Sequence, residues 1–401
     1  MADDLQQLLE SMGATFMPYG PDAAGAAGLR IVDVFGAYEL EYAALHKGVG
    51  IMHVPHRGLL EMRGADVRDY LHRLMTQDIN PMRGGESRRA FQLNVKGRII
   101  ADTVVHFGDA STWVEADVFD LDELHEQLDA RLFAEDASIV NITESRTVLA
   151  LHGPHSAGLL DAVSGDGASR VVEMPGTHHV LDMAGHAVTA TRRDECGVPG
   201  IYLFAPSASA ANVYAALLDA GGYDRDAPDP SDDPQGAAES AQRRRDSLRG
   251  RPIGWLAYNT ARIEAGTPIF HIDFGPDSLP AETGLLDDAV SFTKGCYLGQ
   301  EIVARMHSLG HPRRVLVGLR FEDDLLPLAG AQVFNAADEA AVIGAVTSSA
   351  VSPVLGNKTI ALAVVKWGNH TSGSAVVAPA EGRMTGAAVV ELGAISDVVQ
   401  L

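Results

Sequence analysis

Beyond Arg314 the chain changes texture, and that change sets what the whole can fold into. Val315, Val317, Leu319 and Phe321 recur at every second position, with Arg314 and Arg320 among the residues between. A period of two is the pattern of a half-buried strand. Further β-rich stretches follow at 342–349, 359–365 and 374–378, separated by Gly and Pro. The last portion, residues 313–401, therefore reads as an all-β module of short strands and turns.

The preceding 312 residues mix both periods. Leu5, Leu8, Leu9 and Met12 fall at helical spacing. A strand is predicted over 58–64, followed by a helix that Asp66 caps and that carries Val67, Tyr70, Leu71 and Leu74 at i, i+3, i+4 and i+7. Residues 88–106 read as a hairpin turning at Lys96-Gly97. Leu121, Leu124, Leu128 and Leu132 mark another helix. A strand over 146–153 leads to a helix near Ser156, and a strand over 201–205 to a helix through Val213, Leu217 and Leu218. Residues 224–249 are rich in Pro, Asp, Gly and Ser until Arg243-Arg-Arg, and read as a flexible acidic insertion. The predicted class is α+β with a β-barrel at the end.

Charge excludes whole classes of partner. The 401 residues carry 53 acids against 31 bases, a formal net charge of −22. Such a field repels polyanions, which argues against gripping nucleic acid or an anionic membrane surface. Only five of the 31 bases are Lys, and this pairing of acid excess with Lys depletion points to a salt-rich cytoplasm, where screening makes the charge tolerable. The two cysteines, Cys196 and Cys296, rule out a disulfide scaffold and a self-contained zinc site. The acidic start is unlike a signal peptide, and no apolar run is long enough to span a bilayer, so a cytoplasmic protein is expected.

No Gly-x-Gly-x-x-Gly, Walker loop, His-Glu-x-x-His or Gly-x-Ser-x-Gly is present. The chemistry-bearing segment that stands out is Lys294-Gly-Cys-Tyr-Leu-Gly-Gln-Glu301, with Arg305 four residues on. Gly295 and Gly299 permit a tight turn around Cys296, and Lys294 and Arg305 are cations that would favour its thiolate. Tyr297, Gln300 and Glu301 complete the motif. The histidine pairs His53/His56 and His178/His179 lie on segments read as strand and turn, so packing or surface roles are expected, and Cys196 reads as a turn residue.

The motif resembles the signature of the YgfZ family of folate-binding proteins, which support iron–sulfur enzymes and share a superfamily with the glycine-cleavage T-protein, an aminomethyltransferase. Five further segments resemble the T-protein in order. They are Gly48-Val-Gly-Ile-Met-His-Val-Pro-His-Arg-Gly58, Val148-Leu-Ala-Leu-His-Gly-Pro154, Thr260-Ala-Arg-Ile-Glu-Ala-Gly266, Leu279-Pro-Ala-Glu-Thr-Gly-Leu285 and Val346-Thr-Ser-Ser-Ala-Val-Ser-Pro-Val-Leu-Gly356. The resemblance implies a discontinuous pair of α+β domains around a central folate channel, closed by the barrel. It implies tetrahydrofolate as cofactor. Asp102 stands in the stretch that holds the T-protein's carboxylate near the reactive nitrogen, preceded here by Ala101. Arg262 resembles an arginine that contacts the folate tail. Tyr202 stands where the T-protein strand Gly-x-x-Gly-Tyr-Glu carries the Glu that grips the pterin, so weaker or reoriented pterin binding is expected.

The reading this favours is a tetrahydrofolate-binding, YgfZ-type protein that supports iron–sulfur cluster assembly or repair, or iron–sulfur-dependent tRNA modification, with Cys296 as the working thiol and an iron–sulfur enzyme or carrier protein as partner. The alternative is a folate-dependent aminomethyltransferase or related one-carbon transferase or demethylase, with Asp102 assisting. A third class is a folate sensor without turnover. All three predict a cationic channel inside the acidic shell.

Overall fold

The computed structural model describes residues 2–20, 28–165, 171, 173–225, 233–245 and 247–396. Among the described residues the strands form two large sheets, a closed barrel and one small two-stranded sheet, Thr15–Tyr19 with Leu29–Val34. The first large sheet has six strands in the order His178–Met183, His186–Arg192, Gly200–Pro206, Arg146–His152, Val49–His53 and Gly250–Pro252. Its last pair is parallel and the others are antiparallel. The second has five antiparallel strands in the order Glu86–Leu93, Ile99–Phe107, Thr112–Asp117, Arg57–Arg63 and Ser138–Asn141.

Alternation along each strand sorts its side chains between two faces. On one face of the five-stranded sheet lie Leu60, Met62, Ala90, Ala101, Val105, Val114 and Ala116. They pack with Tyr70 and Leu71 of helix Val67–Leu74 and with Leu121, Leu124 and Leu128 of helix Leu121–Asp129. In the six-stranded sheet, Val49, Ile51, Leu149, Leu151, Val188, Ala190, Ile201 and Leu203 meet helices Ala2–Ser11, Ser156–Ser164 and Ala210–Ala220. Burying such a side chain is worth roughly 1.5–3 kcal/mol, so these two faces hold their helices firmly. The remaining faces turn toward each other and carry the polar residues. The sheets are joined at their edges, where Ser87 N donates to Gly176 O at 2.7 Å and His178 N to Gly85 O at 2.6 Å.

The barrel closes through six strands in the order Arg314–Phe321, Lys358–Lys366, Asp338–Ser352, Gln332–Asn335, Ala375–Ala380 and Arg383–Val390. Val317, Leu319 and Phe321 fill its interior as the alternation predicts. Barrel hydroxyls that donate to two buried carboxylates, Asp273 and Glu264, clasp it to the rest. Asp273 accepts from Thr347 Oγ1 at 2.7 Å and Ser348 Oγ at 2.6 Å of the barrel, and from the Arg262 guanidinium. Glu264 accepts from Ser352 Oγ at 2.6 Å and Tyr42 Oη at 2.8 Å. Beside the clasp, a Cβ on Gly266 would stand 1.8 Å from the Leu392 carbonyl oxygen, so only glycine lets the segment after the last barrel strand approach this closely.

Two expectations change. Asp66 stands at the helix N-cap but its carboxylate does not cap; it accepts from Asp136 N at 2.8 Å, tying two loops instead. Of the segment 224–249, residues 226–232 and 246 lie outside the described residues, and the rest contains a helix, Pro234–Arg245. Among the described residues no helix is long and apolar enough to cross a membrane.

Candidate active site

The two polar sheet faces and the barrel-side loops enclose a cavity of about 650 Å3, within the usual range for small-molecule sites. Asp102, Asp117, His56, Arg57, Ser87, Arg88 and Arg89 reach it from the five-stranded sheet and its turns. Thr191, Arg192, Arg193, Asp194, Glu195 and Tyr202 reach it from the six-stranded one, Tyr258 from helix Trp255–Glu264. Gly266, Gly284, Leu392 and Gly393 form the side toward the barrel.

Asp102 lines this cavity because its strand alternates. Its neighbour Ala101 points into the apolar core on the other face. Two adjacent acids on this strand could not both have faced the cavity, and the one present is the one that does. Both Asp102 oxygens are engaged by Arg89 across the hairpin, one at 2.9 Å from Nε and the other by Nη2. The pair is bidentate and nearly buried, with Asp102 6% exposed, so the carboxylate has a fixed position and direction.

Glu195, opposite, is a residue that sequence reasoning passed over. It sits in the loop between strands His186–Arg192 and Gly200–Pro206, where it accepts from Tyr258 Oη at 2.8 Å and from Tyr202 Oη, with Arg193 Nη1 3.7 Å away. Burial opposes its ionisation, but Arg193 and the two phenols outweigh that and hold the carboxyl below its usual range. Burial and the Glu195 charge push both phenols well above theirs, so they remain donors. Tyr202 therefore does not remove the cavity's second carboxylate. It orients one supplied seven residues earlier. The available signal was Asp194-Glu195 beside Cys196-Gly197, noted only for its cysteine.

His56 also departs from expectation, since it lines the cavity instead of serving surface or packing alone. It is 6% exposed, its Nδ1 has no hydrogen-bond partner among the described residues, and burial pushes its pKa down to about 4, leaving a neutral imidazole beside Asp117. Asp117 in turn accepts from Tyr19 Oη at 2.7 Å. Among the described residues the lining holds five arginines and five carboxylates. The channel is thus balanced, not cationic as expected, within a chain of net charge −22.

Other singled-out residues lie elsewhere. Arg262 does not line the cavity. It is fully buried and bonded to Asp273, to Asn259 Oδ1 at 2.9 Å and to Thr267 O at 3.1 Å, as part of the barrel clasp. Cys296 is exposed and outside the cavity. Lys294 does not pair with it; its ammonium donates to His72 O, to Met75 O at 2.6 Å and to Gln77 O at 3.1 Å. Arg305 pairs with Glu301 at 2.8 Å on the exposed face of helix Gln300–Leu309. Tyr297 packs in the core beneath, Gln300 Nε2 reaches Gly295 O at 3.5 Å, and Gly299 adopts φ +81° against Asn94 and Gly97. The motif locks a turn onto the hairpin carrying Asp102. Cys196 is buried in the core below Tyr202, and burial raises its thiol pKa. Among the described residues no group of three His, Cys, Asp or Glu is placed to hold a metal.

Residues 6–225 match the model of the GCVT N-terminal domain, and residues 314–394 that of the glycine cleavage T-protein C-terminal barrel domain. Aminomethyltransferases of Prosthecochloris aestuarii and Streptomyces avermitilis are 25% and 27% identical, over 92% and 93% of this chain and 95% and 91% of theirs. The crystal structure of the glycine cleavage system aminomethyltransferase T from Bartonella henselae shares the fold, with a TM-score of 0.80 and 21% identity over 98% of this chain and 97% of that one.

Proposed function

The chain belongs to the glycine-cleavage T-protein family, and from that premise we propose that it binds tetrahydrofolate in the cavity between Asp102 and Glu195 and moves a one-carbon unit onto it from an amine donor. The observation that carries this reading is the pair of oriented carboxylates, Asp102 buried and Glu195 half-buried, reaching one cavity from opposite sheets. A reduced folate fits the residues present. Its pterin has amino and ring N–H donors that suit the Glu195 carboxylate, and its glutamate tail suits the arginines of the lining. Bound tetrahydrofolate supplies the amine nitrogens that take up the carbon. The chain's own work is to orient and stabilise. Asp102, pinned by Arg89, places a fixed negative charge where cationic character develops.

Calorimetric titration with tetrahydrofolate, followed by an assay with an aminomethyl-lipoyl carrier, tests the reading. Binding by the wild type is expected, with Kd raised at least about tenfold in Glu195→Gln, since a hydrogen bond to a charged group is worth about 1.5–3 kcal/mol. No heat of binding would sink the folate site; binding without carrier turnover would sink the transfer. A second reading, iron–sulfur support through Cys296 in the manner of YgfZ proteins, is favoured by the exposure of that thiol. It requires that Cys296→Ala fail to complement a strain lacking its own YgfZ protein. Adaptation to high salt, drawn from the acid excess, goes with either.

A further inference from the structure

Behind the cavity wall runs a chain of hydrogen-bonding side chains that the folate site does not use. Ser87, on the edge strand Glu86–Leu93, lines the cavity. Its Oγ lies 2.8 Å from His106 Nδ1 and 3.0 Å from His178 Nδ1. The other His106 nitrogen, Nε2, lies 3.0 Å from Glu115 Oε2. Glu115 is fully buried and is also held by Arg57 Nε at 2.7 Å and by Arg193, with Nη1 at 3.0 Å.

Charge fixes where the protons sit. Glu115 is an anion, because Arg193 and Arg57 overcome the burial that would protonate it and hold its carboxyl well below the usual range. An anionic carboxylate only accepts, so His106 must present Nε2–H to it. Burial keeps the His106 ring neutral, so Nε2 carries its single proton and Nδ1 its lone pair. Ser87 then has one way to satisfy that lone pair: its O–H donates inward to Nδ1. With its proton committed, the Ser87 oxygen accepts from His178 Nδ1–H and has a second lone pair for an N–H donor in the cavity.

We propose that Ser87, His106 and Glu115 form a proton relay that takes a proton from a protonated amine bound in the cavity. The amine N–H proton passes to Ser87 Oγ as the Ser87 hydroxyl proton moves to His106 Nδ1. The hydroxyl is re-formed, the amine is left neutral, and the new imidazolium stands against the Glu115 carboxylate. No electrons are exchanged. The groups facing His106 are Glu115, Arg57 and Arg193, Ser87, His178, and the Phe204 ring at 5.1 Å. Glu115 favours the imidazolium while Arg57, Arg193 and burial oppose it, so the relay holds the proton briefly and returns it. Asp102, the carboxylate assigned above to charge stabilisation, already has both oxygens engaged by Arg89. The amine as donor rests on the one-carbon transfer proposed above; the relay itself rests on the side-chain geometry.

Two arms separate these. In the full chain labelled with 15N-histidine, two-bond proton–nitrogen correlation spectra, assigned against His106→Gln, are expected to show His106 as the neutral Nε2–H tautomer near neutral pH. Its Nδ1 resonance is expected to move downfield in Ser87→Ala, where the donated hydrogen bond is lost. A His106 ring protonated on Nδ1, or unmoved by Ser87→Ala, overturns the relay whatever the protein's activity. In the carrier assay, Ser87→Ala is expected to lower kcat about 100-fold, with KM and tetrahydrofolate Kd within about twofold, and Ser87→Thr to restore it. Unchanged kcat in Ser87→Ala overturns the relay; a wild type with the expected tautomer but no turnover retains the relay and sinks the one-carbon reading.

Discussion

A single buried ammonium shows how far a residue's neighbours in sequence mislead about its partners in space. Lys294 precedes Cys296 by two positions, yet its Nζ turns inward to three carbonyls around the end of helix Val67–Leu74, and burial lowers its pKa to about 8. The His72 and Met75 carbonyls are among the groups a helix terminus leaves without intrahelical donors, and Gln77 lies in the turn that follows. Lys294→Met should therefore cost about 2–3 kcal/mol, the penalty for stranding buried acceptors. Cys296→Ser, at an exposed position, should stay within about 0.5 kcal/mol of the wild type. Urea unfolding of the two variants checks both, and equal stabilities would contradict the assignment. The motif was legible as a Gly-bounded turn. Which of its side chains pointed inward was not, because that depended on a helix more than 200 residues away in the chain.

At the scale of elements, strict alternation did most of the deciding. In strand Ile99–Phe107 it sends Asp102 to the cavity and Ala101 to the core. Ala101→Asp, which would rebuild a pair of adjacent acids, should thus add no second cavity carboxylate. It should destabilise by about 4 kcal/mol or more, because an unpaired acid would enter an apolar layer. Chemical denaturation measures this, and a variant as stable as the wild type would refute the facing of the strand. Period-two and period-3.6 patterns located the 88–106 hairpin and the amphipathic helices to within a few residues. The barrel strands Gln332–Asn335 and Arg383–Val390 escaped notice. The first is short, and the second is interrupted by Thr385-Gly386-Ala387-Ala388, so neither carries a dense β-branched signal. Their pairing to neighbours closes the barrel. Helix Pro234–Arg245 was hidden for the opposite reason, since its composition is polar and has little amphipathic pattern to read.

Over the whole molecule, the polar layer between the two sheets links stability to pH. His56 and His152 are buried there as neutral rings, with pKa values pushed by burial down to about 4, against about 6.5 in an unfolded chain. Between these values the unfolded state takes up protons that the folded state refuses. Their contribution is complete above about pH 6.5 and is lost as the pH falls toward 4, by up to about 3 kcal/mol for each ring. Urea midpoints measured across that interval should fall steeply with acidification, and a flat profile would show that these rings are not held neutral. Sequence alone determined the class of fold, the position of the barrel, the acid excess and the family, because these rest on local periodicity, composition and the order of short motifs. It also supplied Asp102. Only the tertiary structure decided that Glu195 faces it, that Arg262 clasps the barrel, and that Ser87 meets His106 and Glu115. The physical reason is that a buried charge or hydroxyl takes its role from the partners that replace water around it. Here those partners come from other strands and helices: Tyr258 lies 63 residues from Glu195, and Arg193 lies 78 from Glu115.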